Sequence, residues 1–177
     1  MKLGKILFCA IFAVGFASSP ASASVGDADV LQRSLVFNLG DNGSKYYRIP
    51  AIVTLEDGTL VAVADKRIEN NWDLPGKIDV VCRTSSDNGA TWTPAVTVAE
   101  HNDDGGYGDP ALVIDRNSGD ILCIATHGQG LWTATPGNSA RIVVMSSKDN
   151  GLTWSEPLDI TEQFFTSTGE AGKPVKG

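Results

Sequence analysis

Apolar residues along this chain fall into short runs separated by glycine, proline, asparagine and aspartate. Nowhere do they recur at 3.6-residue spacing over three turns, so no helix is predicted. Runs such as 60–64 and 78–84 are valine-rich and bounded by turn residues, which is the mark of strands. Two sets of four strands are predicted, at 49–55, 60–64, 78–84 and 95–99, then at 111–114, 121–125, 141–145 and 158–160. Glu56-Asp57-Gly58 reads as the tight hairpin turn that joins the first two.

The two sets are copies of one unit. Ser85-x-Asp87-x-Gly89-x-Thr91-Trp92 returns 62 residues later as Ser147-x-Asp149-x-Gly151-x-Thr153-Trp154. Pro50-Ala51-Ile52-Val53 returns 60 residues later as Pro110-Ala111-Leu112-Val113, and Trp72 and Trp132 are also 60 apart. Four antiparallel strands repeated at such a period describe a blade of a β-propeller. The fold class is therefore all-β, a β-propeller of four-stranded antiparallel blades with about two blades present. Rings close with roughly four to eight blades. The chain is expected to be the front portion of a larger protein, with blades in 24–165 and an irregular tail at 166–177.

Composition adds an address. Residues 1–23 run from Lys2 and Lys5 through an apolar stretch at 6–17 to Ala21-Ser22-Ala23, the order of a secretory signal peptide. That stretch is shorter than the ~20 residues a bilayer span needs. Export to the periplasm, cell surface or medium after cleavage near Ala23-Ser24 is expected, with no membrane span in the mature chain. The 177 residues carry 21 acidic and 14 basic side chains, a net charge of −7. Without Lys2 and Lys5 the balance is 12 bases against 21 acids, or −9, which argues against a nucleic-acid partner. The sequence has no metal-type cysteine cluster and no glycine-rich phosphate loop, so neither a metal nor a cofactor is expected. Cys82 and Cys123 lie mid-strand in apolar runs and are expected as buried free thiols.

Meander topology sorts the polar residues onto two ends. The repeated motif falls on the turn between third and fourth strands. There Asp binds nearby backbone N–H groups, Gly supplies a positive φ and Trp packs beneath, so both copies are expected to be structural. A calcium loop would need later ligands that Asp87-Asn88-Gly89 lacks. The opposite end gathers Arg48, just ahead of the first strand, and Arg67, Glu69, Trp72 and Asp73 in the loop after the second. It also holds Asp109, ahead of the fifth strand, and His127 and Trp132 in the corresponding loop of the second unit. First strands are innermost in a blade, so Arg48 and Asp109 should rim the central mouth. Long loops confined to one face hint at function. Each residue also has an ordinary role: surface ion pair, turn initiator, loop hydrogen-bonder or blade cap. Spacing alone gives a mouth suited to an acidic or sugar-like ligand, and no reaction.

Tyr47-Arg48-Ile49-Pro50 followed by the two Asp boxes at 85–92 and 147–154, with Asp65-Lys66-Arg67 between, resembles the bacterial and animal sialidases. The resemblance covers about residues 36–165. It implies a six-bladed propeller that releases terminal sialic acid from glycoconjugates, so the implied partner is a sialylated glycan. Arg48 matches the first of three arginines that grip the sialic acid carboxylate, a task suited to bidentate pairing. Arg67 matches an arginine near the sugar ring, and Asp73 matches the aspartate that protonates the leaving oxygen and then activates water. Asp109 matches a residue near the ring hydroxyl and amide, and Trp132 an aromatic wall for the N-acetyl methyl. With a mature charge of −9, an anionic sugar must be held by local arginines rather than steered.

Sialidases use a tyrosine nucleophile rather than two carboxylates. In the family that tyrosine, its glutamate partner and two further arginines belong to later blades. Tyr46, Tyr47 and Tyr107 do not match the nucleophile's motif, so this chain by itself is expected to be inactive. The alternative function is a non-catalytic Asp-box propeller that binds glycans or a protein partner. A pure binder has no need for an acid at Asp73.

Overall fold

Eight strands form, four from each copy of the repeat, in a computed structural model that describes residues 33–135 and 137–164. The expected signal peptide at 1–23 and the tail at 166–177 lie outside the described residues. The first sheet runs β1 (Tyr46–Thr54), β2 (Leu60–Arg67), β3 (Ile78–Ser85) and β4 (Val96–Ala99) in simple order. The second runs β5 (Gly106–Ile114), β6 (Ile121–Gly128), β7 (Ala140–Ser147) and β8 (Leu158–Asp159) in the same way. Every neighbouring pair is antiparallel, so each sheet is the expected four-stranded meander.

Several elements depart from expectation. β1 begins at Tyr46 rather than 49 and β5 at Gly106 rather than 111, because both strands pair on past their bulges, so Arg48 and Asp109 lie within strands rather than ahead of them. β2 reaches Arg67 rather than stopping near 64, because Asp65, Lys66 and Arg67 pair across to Val80, Asp79 and Ile78. β6 reaches Gly128, which takes His127 out of the expected loop and into a strand. One turn of helix, α1 (Thr161–Phe164), follows β8 where none is predicted; the Thr161 N–H donates to Asp159 Oδ1 at 2.9 Å, a local turn that periodicity cannot reveal. Among the described residues no helix is long and apolar enough to cross a membrane.

The strand repeat extends to the backbone. β1 and β5 each break register at one place, between Arg48 and Ala51 and between Gly108 and Ala111. At each break the residue before proline is left-handed, Ile49 with φ 50° and Asp109 with φ 55°. Residues before proline ordinarily sit in extended conformations, and β-branched side chains avoid positive φ, so both positions are strained. Both strands lie on a sheet edge, where a proline removes no ladder hydrogen bond.

The core lies between the two sheets. Val61 and Val63 of β2, Val80 and Cys82 of β3, Ile121, Cys123 and Ala125 of β6, and Val143 and Met145 of β7 form one buried cluster. Their spacing of two residues is the pleat of a strand with one face turned to its neighbour. Cys82 and Cys123 are both free and buried, and removal from water pushes each thiol up to about 12.

The two Asp boxes close the β3–β4 and β7–β8 turns with the same bonds. Ser85 Oγ donates to Asp87 Oδ1 at 2.8 Å, and the Gly89 N–H donates to Ser85 Oγ at 2.9 Å. The Thr91 N–H and hydroxyl both donate to the Asp87 carboxylate. Ser147, Asp149, Gly151 and Thr153 repeat this set. Hydrogen bonds from the threonine pull Asp87 and Asp149 down to about 2. The surroundings differ. Trp92 Nε1 donates to Ser34 Oγ at 3.2 Å, whereas Trp154 donates to the Gly151 carbonyl and packs on the shared core. The second box thus rests on the first sheet. A Cβ on Gly151 would lie 3.1 Å from Val61 Cγ1 and 3.3 Å from Cys82 Sγ, while one on Gly89 would meet nothing closer than 3.6 Å.

These two glycines make a matched pair, with φ values of 85° and 86°. Gly89→Ala and Gly151→Ala should share the same backbone strain, and only the second should also overpack, at a further ~1–3 kcal/mol. Urea unfolding of both variants checks this, and equal losses would mean that the second box does not bear on the first sheet.

Candidate functional site

The loop between β2 and β3 is short of bonds of its own. Its base is closed by the Ile68 N–H donating to the Lys77 carbonyl at 3.1 Å and by a Lys77–Glu69 ion pair at 2.7 Å. Its tip is set by two local bonds and by neighbours. The Trp72 N–H donates to Asn70 Oδ1 and the Gly76 N–H to the Asp73 carbonyl. From below, Arg67 Nη1 donates to the Asn71 carbonyl at 2.8 Å. From the second repeat, Gly106 of β5 and Gly130 of the loop after β6 press their backbones against it: a methyl group on Gly130 would collide with the Leu74 carbonyl, and one on Gly106 with the Gly76 carbonyl.

Three expected site residues meet at Asp73. Arg48 Nη1 donates to Asp73 Oδ1 at 3.3 Å and to the Asn71 carbonyl at 3.0 Å. Arg67 Nη2 donates to the same Asp73 oxygen at 2.8 Å. Arg48 and Asp73 are open to solvent, with side chains 45% and 69% exposed, whereas the Arg67 side chain is 1% exposed. The expected contact between Arg67 and a sugar ring has no open face here, because Asp65, Asn71 and Asp73 surround its guanidinium. Asp109 is exposed on the bulge of β5, and its backbone N–H donates to Asp65 Oδ1 at 3.0 Å. Trp132 stands 91% exposed on the loop after β6, and Trp72 is 75% exposed beside Asp73. The boxes at 85–92 and 147–154 close turns at the far ends of these strands, as the meander requires.

His127 departs from expectation. It is buried and stacked on Tyr107, its cross-strand partner, with ring centroids 4.0 Å apart and planes within 12°. Its Nδ1 faces the Gly106 carbonyl at 3.0 Å and therefore carries the proton, and burial pulls its pKa down. It is a neutral packing residue.

Sequence reasoning missed Asp65. This carboxylate is fully buried and accepts from Arg67 Nη2 at 2.9 Å as well as from the Asp109 N–H. The signal was available: in a strand, residues 65 and 67 point to one face. Loss of hydration pushes Asp65 up to about 6 against the pull of Arg67, with a further push from the Asp109 charge.

Edge-bulged meander blades closed by Asp boxes, with arginines and a loop carboxylate gathered at one end, define the class of Asp-box propeller proteins. The description of a BNR repeat-like domain matches residues 49–176. The chain is 35% identical over 145 residues to a sialidase of Bacteroides fragilis strain YCH46, covering 72% of this chain and 27% of that protein. It is 36% identical over 138 residues to a sialidase of Clostridium perfringens, covering 72% and 36%. Among solved structures, a Hadza microbial sialidase superposes with TM-score 0.63 at 35% identity, over 70% of this chain and 28% of that one. The NanB sialidase of Streptococcus pneumoniae, at 16% identity, shares the fold with TM-score 0.66 over 72% and 38%. The chain belongs to the BNR repeat-like family and, within it, to the bacterial sialidases. It spans about a quarter to a third of the length of these curated relatives.

The raised Asp65 gives a pH signature. Its folded form binds the proton more tightly than the unfolded chain, so its stabilising contribution is full below about pH 4 and fades as pH rises through about 6. Melting curves between pH 4 and 7 should show this decline in the wild type relative to Asp65→Asn; parallel curves would contradict it.

Proposed function

We propose that this chain supplies two blades of an exported exo-α-sialidase that releases terminal sialic acid from glycoproteins, glycolipids and oligosaccharides. The observation that carries this reading is the convergence of Arg48 and Asp73, 25 residues apart in sequence, at one solvent-facing point 3.3 Å across. A guanidinium and an acid held together at a mouth are what an anionic glycoside needs, one to take its carboxylate and one to serve its leaving oxygen. The sialidase relatives support the same assignment. The basic, apolar and small-residue order of 1–23 supports export of 24–165 as part of the catalytic domain.

In this mechanism the substrate carboxylate takes Arg48 by paired N–H donation and displaces Asp73 from it. Asp73 Oδ1 keeps its bond from Arg67, which holds the loop from beneath, while Oδ2 takes up a proton from solvent and turns to the glycosidic oxygen. Asp73 protonates the departing oxygen and in the second half-reaction takes a proton from water. Asp109 and Trp132 face the remainder of the sugar, at its ring hydroxyl and N-acetyl group. The nucleophile is not one of the three tyrosines described. Tyr107 is stacked and buried, the Tyr47 hydroxyl donates to the Asp41 carbonyl at 3.1 Å, and Tyr46 matches no nucleophile motif. We therefore propose that residues 24–177 alone do not turn over.

Sialic acid release from a sialylated oligosaccharide by the intact protein tests the function. Asp73→Ala should lower kcat by roughly 10²–10⁴, and by less on aryl sialosides whose acidic phenols depart without protonation. Arg48→Ala should chiefly lower kcat/KM, because its partner carboxylate is present in substrate and transition state alike. Full activity in Asp73→Ala on the oligosaccharide would sink the assignment.

A further inference from the structure

The site's residues stand on two separate sheets, yet they serve one ligand, so some group has to fix one set against the other. Among the described residues, the buried side chain of Asp65 hydrogen-bonds to both sets. Asp65 pairs across β1–β2 with Arg48 and shares a strand face with Arg67. Its two oxygens are divided between the sheets: Oδ2 accepts Arg67 Nη2 at 2.9 Å, and Oδ1 accepts the Asp109 N–H at 3.0 Å. The second bond ends on the strained bulge of β5, where Asp109 holds φ 55° ahead of Pro110. A Cβ on Gly108 would sit 3.6 Å from Oδ2, an ordinary contact, so the approach of the two sheets does not depend on glycine there. Arg67 in turn carries the loop tip through the Asn71 carbonyl and Asp73.

We infer that Asp65 is a positioning residue: its buried carboxylate locks Arg67, and through it the Asp73 loop, in register with the Asp109 bulge of the next blade. Asp65 touches no solvent and meets no substrate itself. Its charge orients one guanidinium, and its second oxygen holds one backbone amide in an unfavourable conformation. The catalytic part of this inference rests on the sialidase reading; the structural part does not.

The test uses the intact protein with Asp65→Asn, the double variant Asp65→Asn/Arg67→Gln, and Asp79→Asn as control. Asp79 is a buried carboxylate of the same sheet that binds Lys66 and His101 away from the site. Two readouts are taken: amide hydrogen exchange of segments 68–77 and 106–110, and kcat/KM on a sialylated oligosaccharide and on an aryl sialoside with an acidic phenol. Asp65→Asn should speed exchange in both segments. It should cost at least tenfold on the oligosaccharide and several-fold less on the aryl substrate, because a misplaced Asp73 is missed only where protonation is needed. Asp79→Asn should lower the melting temperature, leave exchange in 106–110 unchanged and affect both substrates equally. If Asp65→Asn does not fold, the double variant decides, since it removes the buried charge and its partner together: its stability should recover while exchange in both segments stays fast. Unchanged exchange in either segment overturns the inference, as does an equal loss on both substrates. If the wild type releases no sialic acid from either substrate, the sialidase reading fails, and hydrogen exchange alone decides whether Asp65 couples the segments.

Discussion

A sheet with apolar side chains on one of its faces has to bury that face against another element. The two sheets meet this need with each other, through the valines and the one cysteine of β2 and β3 opposed to the isoleucine, cysteine, valine and methionine of β6 and β7. At ~25 cal/mol per Å² of apolar surface, each fully buried valine or isoleucine contributes about 1.5–3 kcal/mol, more than the ~0.5–1.5 kcal/mol net of an ordinary neutral hydrogen bond. The rest follows from that packing. The Asp-box turn of the second sheet is glycine at 151 because it lies on Val61 and Cys82, and the loop ends face outward because the strand middles are occupied.

The candidate site draws its order from the same contact. The loop bearing Asp73 has few internal bonds and is exposed at its tip, so its shape is imposed from two sides. Arg67 supports it from within the first sheet, and backbone glycines of the second repeat leave just enough room for it. Glycine at 106 and 130 has no chemical role here; its use is the absence of a side chain. The chemistry of one blade is thus shaped by the sterics of the next.

Much of this was legible in the sequence, and the limits have physical causes. The repeat fixed the number and order of strands because valine-rich runs and turn residues recur at one period, and meander topology then put Arg48, Arg67 and Asp73 at one end. Strand ends were harder. Lys66, Arg67 and His127 are polar and resemble loop residues, yet cross-strand pairing to Asp79, Ile78 and Arg141 carries them into the ladder. Burial of Arg67 was invisible for the same reason: a charged residue is read as exposed unless its partners are known, and one of them, the Asn71 carbonyl, is backbone. The share of Asp65 in the Asp109 amide is a contact between blades, which no local pattern contains.

The kink ahead of proline in β1 and β5 has a consequence for how such a mouth acquires its chemistry. The same backbone distortion occurs at the same place in both repeats, yet it displays an isoleucine in one and an aspartate in the other. The bend therefore belongs to the scaffold and the side chain on it does not. Each blade presents one pre-bent socket at the rim whose occupant can be exchanged without refashioning the strand. A ring of such blades is a set of interchangeable positions around a fixed opening, so that a new ligand can be met by refilling sockets while the architecture stays as it was.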